Sequence, residues 1–206
     1  MRNILFLCVT LMILGCKKGK ADFTMKGTVT DATLSTGMSN ATIKLYEVKA
    51  GGGTTTLIDS APLTDGSYSF TFPRNSVESY TINVERENYF PINETVWFSD
   101  LTLENDNLIN FSTTAKSWVK LHFVDQNPQN GDVLEYIRTA GKSDCEECCP
   151  AGSQFLNETI DTIIICPNNG NAYYTYNYWI NGGIASGTQS VVTVAFDTTE
   201  LLLNYQ

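Results

Sequence analysis

Apolar and polar residues alternate along most of this chain with the two-residue period of strands that bury one face. Phe23, Met25, Gly27 and Val29 alternate with Thr24, Lys26, Thr28 and Thr30. After a turn-rich loop at 31–40, Ile43 and Leu45, extended by Glu47, alternate with Lys44 and Tyr46. Gly51-Gly52-Gly53 breaks the chain before 54–58, and Asp65-Gly66 is a strong turn signal. Tyr68, Phe70 and Phe72 then run to Pro73, which ends that strand because it cannot donate to a ladder. Tyr80, Ile82 and Val84 alternate again, and 96–103 and 108–112 predict the closing strands. About seven short strands with turns every 8–12 residues predict a β-sandwich.

A second unit begins near Ala115. Val119, Leu121 and Phe123 face one way, and Trp118, Lys120 and His122 the other. A loop from Asn127-Pro128 to Gly131-Asp132 leads into a strand at 133–139, and residues 140–157 form an irregular, cysteine-bearing segment. Ile160 with 163–166, then 173–180, 191–196 and 201–205 complete the unit. Long stretches with helical period are absent, so the predicted class is all-β: an antiparallel sandwich over 23–114, then a second, smaller β-sandwich-like unit over 115–206. No internal repeat relates the halves.

The first residues do not belong to this pattern. Arg2 precedes an apolar run from Ile4 to Leu14, broken only by Thr10 and followed by Gly15-Cys16. The run is too short to span a bilayer, which takes roughly 20 apolar residues, and has the layout of a secretory signal. A small residue directly before cysteine resembles the lipobox of bacterial lipoproteins. That resemblance implies cleavage after Gly15 and acylation of Cys16, so 1–15 is the expected signal peptide and 16–22 the lipidated cysteine with its tether. Two or three acyl chains anchor firmly, since each buried methylene adds about 0.8 kcal/mol. Lys17, Lys18 and Lys20 read as a solvated linker.

The chain carries a net charge of −9, which disfavours nucleic acid and anionic lipid headgroups as partners. The basic residues after Cys16 are not the acidic cluster expected of surface export, which favours the periplasmic face of an outer membrane.

Gly27-Thr28-Val29-Thr30-Asp31, Ala41-Thr42-Ile43-Lys44-Leu45-Tyr46, Thr64-Asp65-Gly66-Ser67-Tyr68-Ser69-Phe70 and Tyr80-Thr81-Ile82-Asn83-Val84 follow one another in the order of a prealbumin-like module. The segment 23–112 thus resembles the transthyretin-like, or carboxypeptidase regulatory-like, domains. The resemblance implies a prealbumin-like sandwich of the kind common in envelope proteins of Bacteroidetes, and is nearly silent on function.

Cys145, Cys148, Cys149 and Cys166 lie in the second unit, and four half-cystines allow three pairings. An exported protein meets an oxidising system, so disulfides are the default. Adjacent Cys148 and Cys149 would strain the peptide between them. Cys149–Cys166 with Cys145–Cys148 is favoured by Pro150 and by the short loop, although Cys145–Cys149 with Cys148–Cys166 needs nearly the same backbone. A redox role for Cys145-x-x-Cys148 is disfavoured by Asp144, Glu146 and Glu147, which suppress a thiolate, and zinc is disfavoured by the oxidising context.

His122 is the single histidine, so neither a multi-histidine metal site nor a triad independent of it can be built. No Gly-x-Ser-x-Gly elbow accompanies it. Asp125, Asn127, Gln129, Asn130 and Asp132 suggest a calcium loop, but Gly131 falls one position late for EF-type spacing and a turn is the better reading. Among the aromatics, Tyr174, Tyr176 and Tyr178 share one strand face, opposite Tyr173, Thr175, Asn177 and Trp179. One row must pack inward; Tyr174, Tyr176 and Tyr178 are the candidate ligand platform. Asp59-Ser60-Ala61, Asp161-Thr162-Ile163 and Asp197-Thr198-Thr199 resemble the O-glycosylation pattern of Bacteroidetes, with Ser60, Thr162 and Thr198 as acceptors.

No nucleophile–base pair survives this reading, so no enzymatic activity, cofactor or metal is expected. The expected function is a lipid-anchored, non-enzymatic envelope module that binds a glycan or an envelope protein. The alternatives are a structural spacer or accessory subunit of an outer-membrane complex and, more distantly, a thiol redox protein using Cys145 and Cys148.

Overall fold

The computed structural model describes residues 21–51, 53–158 and 161–206. Cys16, the apolar run before it and most of the tether lie outside the described residues, as does Ile160. The rest is built from short strands, as the alternation requires.

The first sandwich comprises β1 (Asp22–Asp31), β2 (Thr36–Gly37), β3 (Ala41–Val48), β4 (Thr55–Leu63), β5 (Ser67–Pro73), β6 (Ser79–Glu85), β7 (Ile92–Trp97), β8 (Asn107–Leu108) and β9 (Phe111–Thr113). One sheet runs β4-β3-β6-β7; in the other, β1 is flanked by β5, β2, β8 and β9. The predicted alternations point inward as expected: Phe23, Met25, Val29, Ile43, Leu45, Tyr68, Phe70, Phe72, Tyr80, Ile82 and Val84 are all buried. Burying each such side chain contributes roughly 1.5–3 kcal/mol. The Asp65-Gly66 turn is equally literal, with Gly66 at φ +89° and Val29 O close to where a Cβ would stand.

The closing strands differ from expectation. The strand predicted at 96–103 is β7, which ends at Trp97, and the chain then turns through a short 3₁₀ segment, Phe98–Asp100. Phe98 is needed there, its ring edge-on to Phe23 at 5.6 Å. The stretch 108–112 splits into β8 and β9, both parallel to β1 in otherwise antiparallel sheets. At the split Ile109 O passes over Gly27 as closely as only a residue without a Cβ allows, and Asn110 Oδ1 accepts from Thr28 N at 2.9 Å in place of a ladder bond.

The second sandwich comprises β10 (Lys116–Asp125), β11 (Val133–Ala140), β12 (Gln154–Asn157), β13 (Asp161–Asn169), β14 (Tyr173–Ile180), β15 (Ala185–Val192) and β16 (Thr198–Tyr205). Its sheets are β13-β10-β16 and β12-β11-β14-β15. Val119, Leu121 and Phe123 meet Leu134, Tyr136, Leu201 and Leu203 in a core separate from the first. The strand predicted at 191–196 is instead β15, which lies earlier. Its Ser-Gly-Thr-Gln-Ser stretch lacks apolar alternation and is recruited by pairing with β14. Part of the segment read as irregular also becomes a strand, β12, paired with β11.

The disulfides are Cys145–Cys148 and Cys149–Cys166. The second joins residues 17 apart and ties the irregular segment to β13, whose Cys166 is fully buried. Closing a loop of that size stabilises by about 3 kcal/mol in the chain-entropy account. Cys145–Cys148 spans only a turn, closed also by Cys148 N donating to Cys145 O at 3.1 Å.

The sandwiches meet without a linker. Ala115 is buried in the first core and Lys116 opens β10. Across the junction Lys116 N donates to Asn88 O at 2.8 Å, Gly170 N to Ala115 O at 2.8 Å, and Thr114 Oγ1 to Asn169 Oδ1 at 2.6 Å. Tyr89 packs its ring on Phe196 of the second unit at 5.5 Å and donates its hydroxyl to buried Asp31 at 2.7 Å. Burial, reinforced by Asp31, pushes the Tyr89 phenol up to about 12. Tyr89→Phe is expected to lower stability by about 1–3 kcal/mol, because a buried carboxylate oxygen loses its donor. Urea unfolding checks this: a variant as stable as the parent would show that the bond carries no weight.

Candidate ligand-binding face

Three aromatic residues of β14 occupy the core and form no platform. Tyr174 and Tyr176 are 1% and 0% exposed, and Tyr178 is half-buried. The row packs inward because β14 lies between β11 and β15, placing Tyr176 against Phe123 and Tyr136 at centroid distances of 5.6 and 5.9 Å. Burial raises the Tyr174 phenol to about 12 and pushes Tyr176 up as well. The expectation that Tyr174, Tyr176 and Tyr178 present a ligand surface is therefore corrected: the hydrophobic gain of burying three rings on one face decides the orientation.

The opposite row faces solvent. Tyr173 is 66% exposed, and Thr175, Asn177 and Trp179 are half-buried beside it. Cross-strand pairing widens the row into a surface. Phe155, Glu135, Trp179 and Ser186 stand side by side across β12, β11, β14 and β15, with Ile137, Asn177 and Thr188 in the next row. Phe155 is 58% exposed. Thr188 Oγ1 donates to Asn177 Oδ1 at 2.8 Å and Thr175 Oγ1 meets Ser190 Oγ at 2.8 Å, so the polar groups are held in place. The surface sets two aromatic rings on either side of a carboxylate.

Loops wall one end of this face. Asp132 Oδ2 accepts from Gln129 N at 2.6 Å and Asp132 Oδ1 from Asn181 Nδ2 at 2.8 Å, while Asn181 Oδ1 accepts from Val133 N at 2.8 Å. The Gln129 amide, with Asn181 behind it, holds the Asp132 carboxyl below its ordinary 3.8. The loop from Asp125 to Asp132 is a turn locked by its own side chains, with Asp125 Oδ1 accepting from Asn127 N at 3.0 Å. Between the two loops and Phe155 lies a groove of about 590 Å³ that also borders Asn130, Glu135 and Gly182. Apolar area with fixed amides and a carboxylate is the lining that small-molecule and sugar sites use.

A larger cleft of about 970 Å³ opens at the junction, beneath the Cys145–Cys148 turn. Its basic groups are already engaged: Lys116 binds Glu147 at 2.5 Å, and Lys116 and Lys142 both lie over the buried Phe90 ring. With Glu94, Asp144 and Glu146 on its rim it has no exposed aromatic to stack a ligand.

No family model matches this chain, and no curated protein does. Among solved structures it is similar to the shaft pilin SpaA of Lactobacillus rhamnosus GG, at 10% identity and a TM-score of 0.37 over 90% of this chain and 98% of that one. It is similar to a DUF3823 family protein of Bacteroides uniformis, at 10% identity and a TM-score of 0.32 over 84% and 99% of the two chains. GBS52, the minor pilin of Streptococcus agalactiae, gives 11% identity and a TM-score of 0.33 over 88% and 94%. Likenesses this distant carry no argument about activity or partner.

His122 lies on the outer face of β13-β10-β16, and both its nitrogens are engaged, Nδ1 with Glu200 and Nε2 with Asp161, each at 2.8 Å. Lys120 Nζ reaches the same Glu200 oxygen at 3.0 Å. Both imidazole nitrogens are thus already engaged by carboxylates. Among the described residues no group of three or more His, Cys, Asp or Glu is placed to hold a metal ion. Of the glycan-acceptor candidates, Ser60 and Thr198 are exposed and Thr162 is half-buried.

The hydrogen bonds to Glu200, then Asp161, hold His122 above its ordinary 6.5, and those from Lys120, then His122, hold Glu200 below 4.5. The raised histidine stabilises the fold fully below about 6.5, and that contribution is lost as pH rises through its folded value. The lowered glutamate stabilises above about 4.5, and its contribution is lost as pH falls through its folded value. The cluster is therefore strongest between those limits. Melting curves from pH 5 to 9 should show the parent losing more stability on the alkaline side than His122→Gln. Parallel curves would remove the cluster from the pH response.

Proposed function

We propose that this chain is a lipid-anchored cell-envelope binding module that takes a saccharide on the outer face of β12-β11-β14-β15. The observation that carries the reading is the exposure of Phe155 and Tyr173, at 58% and 66%, on the sheet face that also holds Trp179 and Glu135. Flat rings stack on the C–H faces of a sugar, while Glu135, Asn177 and the groove amides supply partners for its hydroxyls. The locked loops beside Phe155 mean that little is left to order on binding. Lipid anchoring through Cys16 rests on the lipobox-like end of the apolar run and on the basic tether that follows it.

A spacer role is the second reading, and the junction favours it. Two sandwiches clamped through Ala115, with no flexible linker, make a stiff stalk that could hold a partner off a membrane.

A glycan array probed with the purified protein separates the two. Binding is expected, and Phe155→Ala and Trp179→Ala should each weaken it about tenfold or more, equivalent to at least about 1.4 kcal/mol, with unchanged circular dichroism. Absence of binding to every glycan would leave the spacer. Cys16→Ser should release the protein from membranes, and its recovery in a carbonate-washed pellet would refute the lipid anchor.

A further inference from the structure

We propose that the free edge of β15 pairs with β15 of a second copy of this chain, antiparallel and centred on Thr188. β15 ends its sheet and has no strand hydrogen-bonded to its outer side among the described residues. Half of its backbone N–H and C=O groups therefore point away from β14, as in any edge strand.

Proteins normally blunt such edges with charge, proline, bulges or brevity. The other described edge strands follow that rule. β4 carries Asp59, Pro62 and a bulged register, and β5 ends in Pro73. β7 carries Glu94, β13 carries Asp161 and Pro167, and β16 carries Glu200. β12 is only four residues long. β15 is eight residues long, Ala-Ser-Gly-Thr-Gln-Ser-Val-Val, with none of these devices. In a chain of net charge −9, an uncharged edge lets two copies approach with less repulsion than a charged one would.

The sequence of β15 also suits its own reverse. Ser186, Thr188 and Ser190 are exposed on one face, spaced evenly about Thr188. Antiparallel pairing with Thr188 on the two-fold axis sets Thr188 opposite Thr188 and each Ser186 opposite Ser190. Cross-strand hydroxyl pairs of this kind are favourable, whereas like charges directly opposite are not. The symmetry is closed and isologous, so the contact ends at a dimer. It fuses two four-stranded sheets into one continuous sheet with the two-fold perpendicular to it, so both Phe155–Trp179 faces lie on the same side. The pairing itself does not depend on what those faces bind.

The test uses the full chain in mild detergent. Sedimentation equilibrium is expected to give twice the chain mass, and Thr188→Lys, an exposed position where a charge leaves the fold intact, should weaken dimerisation at least tenfold. Thr188→Cys should form an intermolecular disulfide on non-reducing gels, while Ser69→Cys, on the exposed face of edge strand β5, should not. A monomer up to about 100 μM, a range that covers weak dimers, would overturn the proposal. So would a dimer indifferent to Thr188→Lys, equal cross-linking of the two cysteine variants, or cross-linking of Thr188→Cys only to a different protein.

Discussion

A buried carboxylate holds the molecule's two halves in register. Asp31 is 1% exposed at the end of β1, a position that disfavours charge unless every oxygen is satisfied. Its Oδ1 accepts from Thr33 N at 2.8 Å and Leu34 N at 3.1 Å, and Oδ2 accepts from the Tyr89 hydroxyl. The turn so fixed presents Thr33 Oγ1 to Ala115 N at 3.0 Å, at the entry to the second sandwich. Tyr89, under the Arg86 guanidinium at 4.4 Å, rests on Phe196 from that sandwich. One side chain therefore sets a turn, orients a ring and positions the next domain.

From that joint outward the structure obeys the parity of the strand. Each sheet buries one row and exposes the other, and the two outer faces of the second sandwich have different chemistry. On β13-β10-β16 the exposed row mixes Ile163, Ile165 and Leu202 with Lys120, His122 and Glu200. Lys120 and His122 share Glu200, and Asp161 takes the other His122 nitrogen, so these side chains are held to one another across three strands. On β12-β11-β14-β15 the exposed row offers rings, amides and one carboxylate, the groups suited to recognising an uncharged polar ligand.

The loops and edges add to the second face. The Asp132–Asn181 lock stiffens its rim, and β15 bounds it with an uncharged strand. The Cys149–Cys166 link anchors the irregular segment that delivers β12, and hence Phe155, to the sheet. For the proposed binding, rigidity at the rim matters because side chains already held need not be ordered by a ligand.

Alternation alone determined the all-β class, the two sandwiches and the inward rows Phe23–Met25–Val29, Tyr68–Phe70–Phe72 and Val119–Leu121–Phe123, since period two and burial are local properties of a strand. It could not orient residues 173–180, where aromatic side chains occupy both faces; pairing with β11 and contact with Phe123 chose the row. Phe155 was illegible because 140–157 has no period, and its strand exists through β11. Spacing left two disulfide pairings nearly equivalent, and the fold brought Cys149 to Cys166. The partners of His122 lie 39 and 78 residues away, a proximity made by strand register and invisible to any local pattern. Likewise the strand predicted at 191–196 lies earlier, at 185–192, because hydrogen bonds to β14, rather than its own side chains, make that stretch a strand.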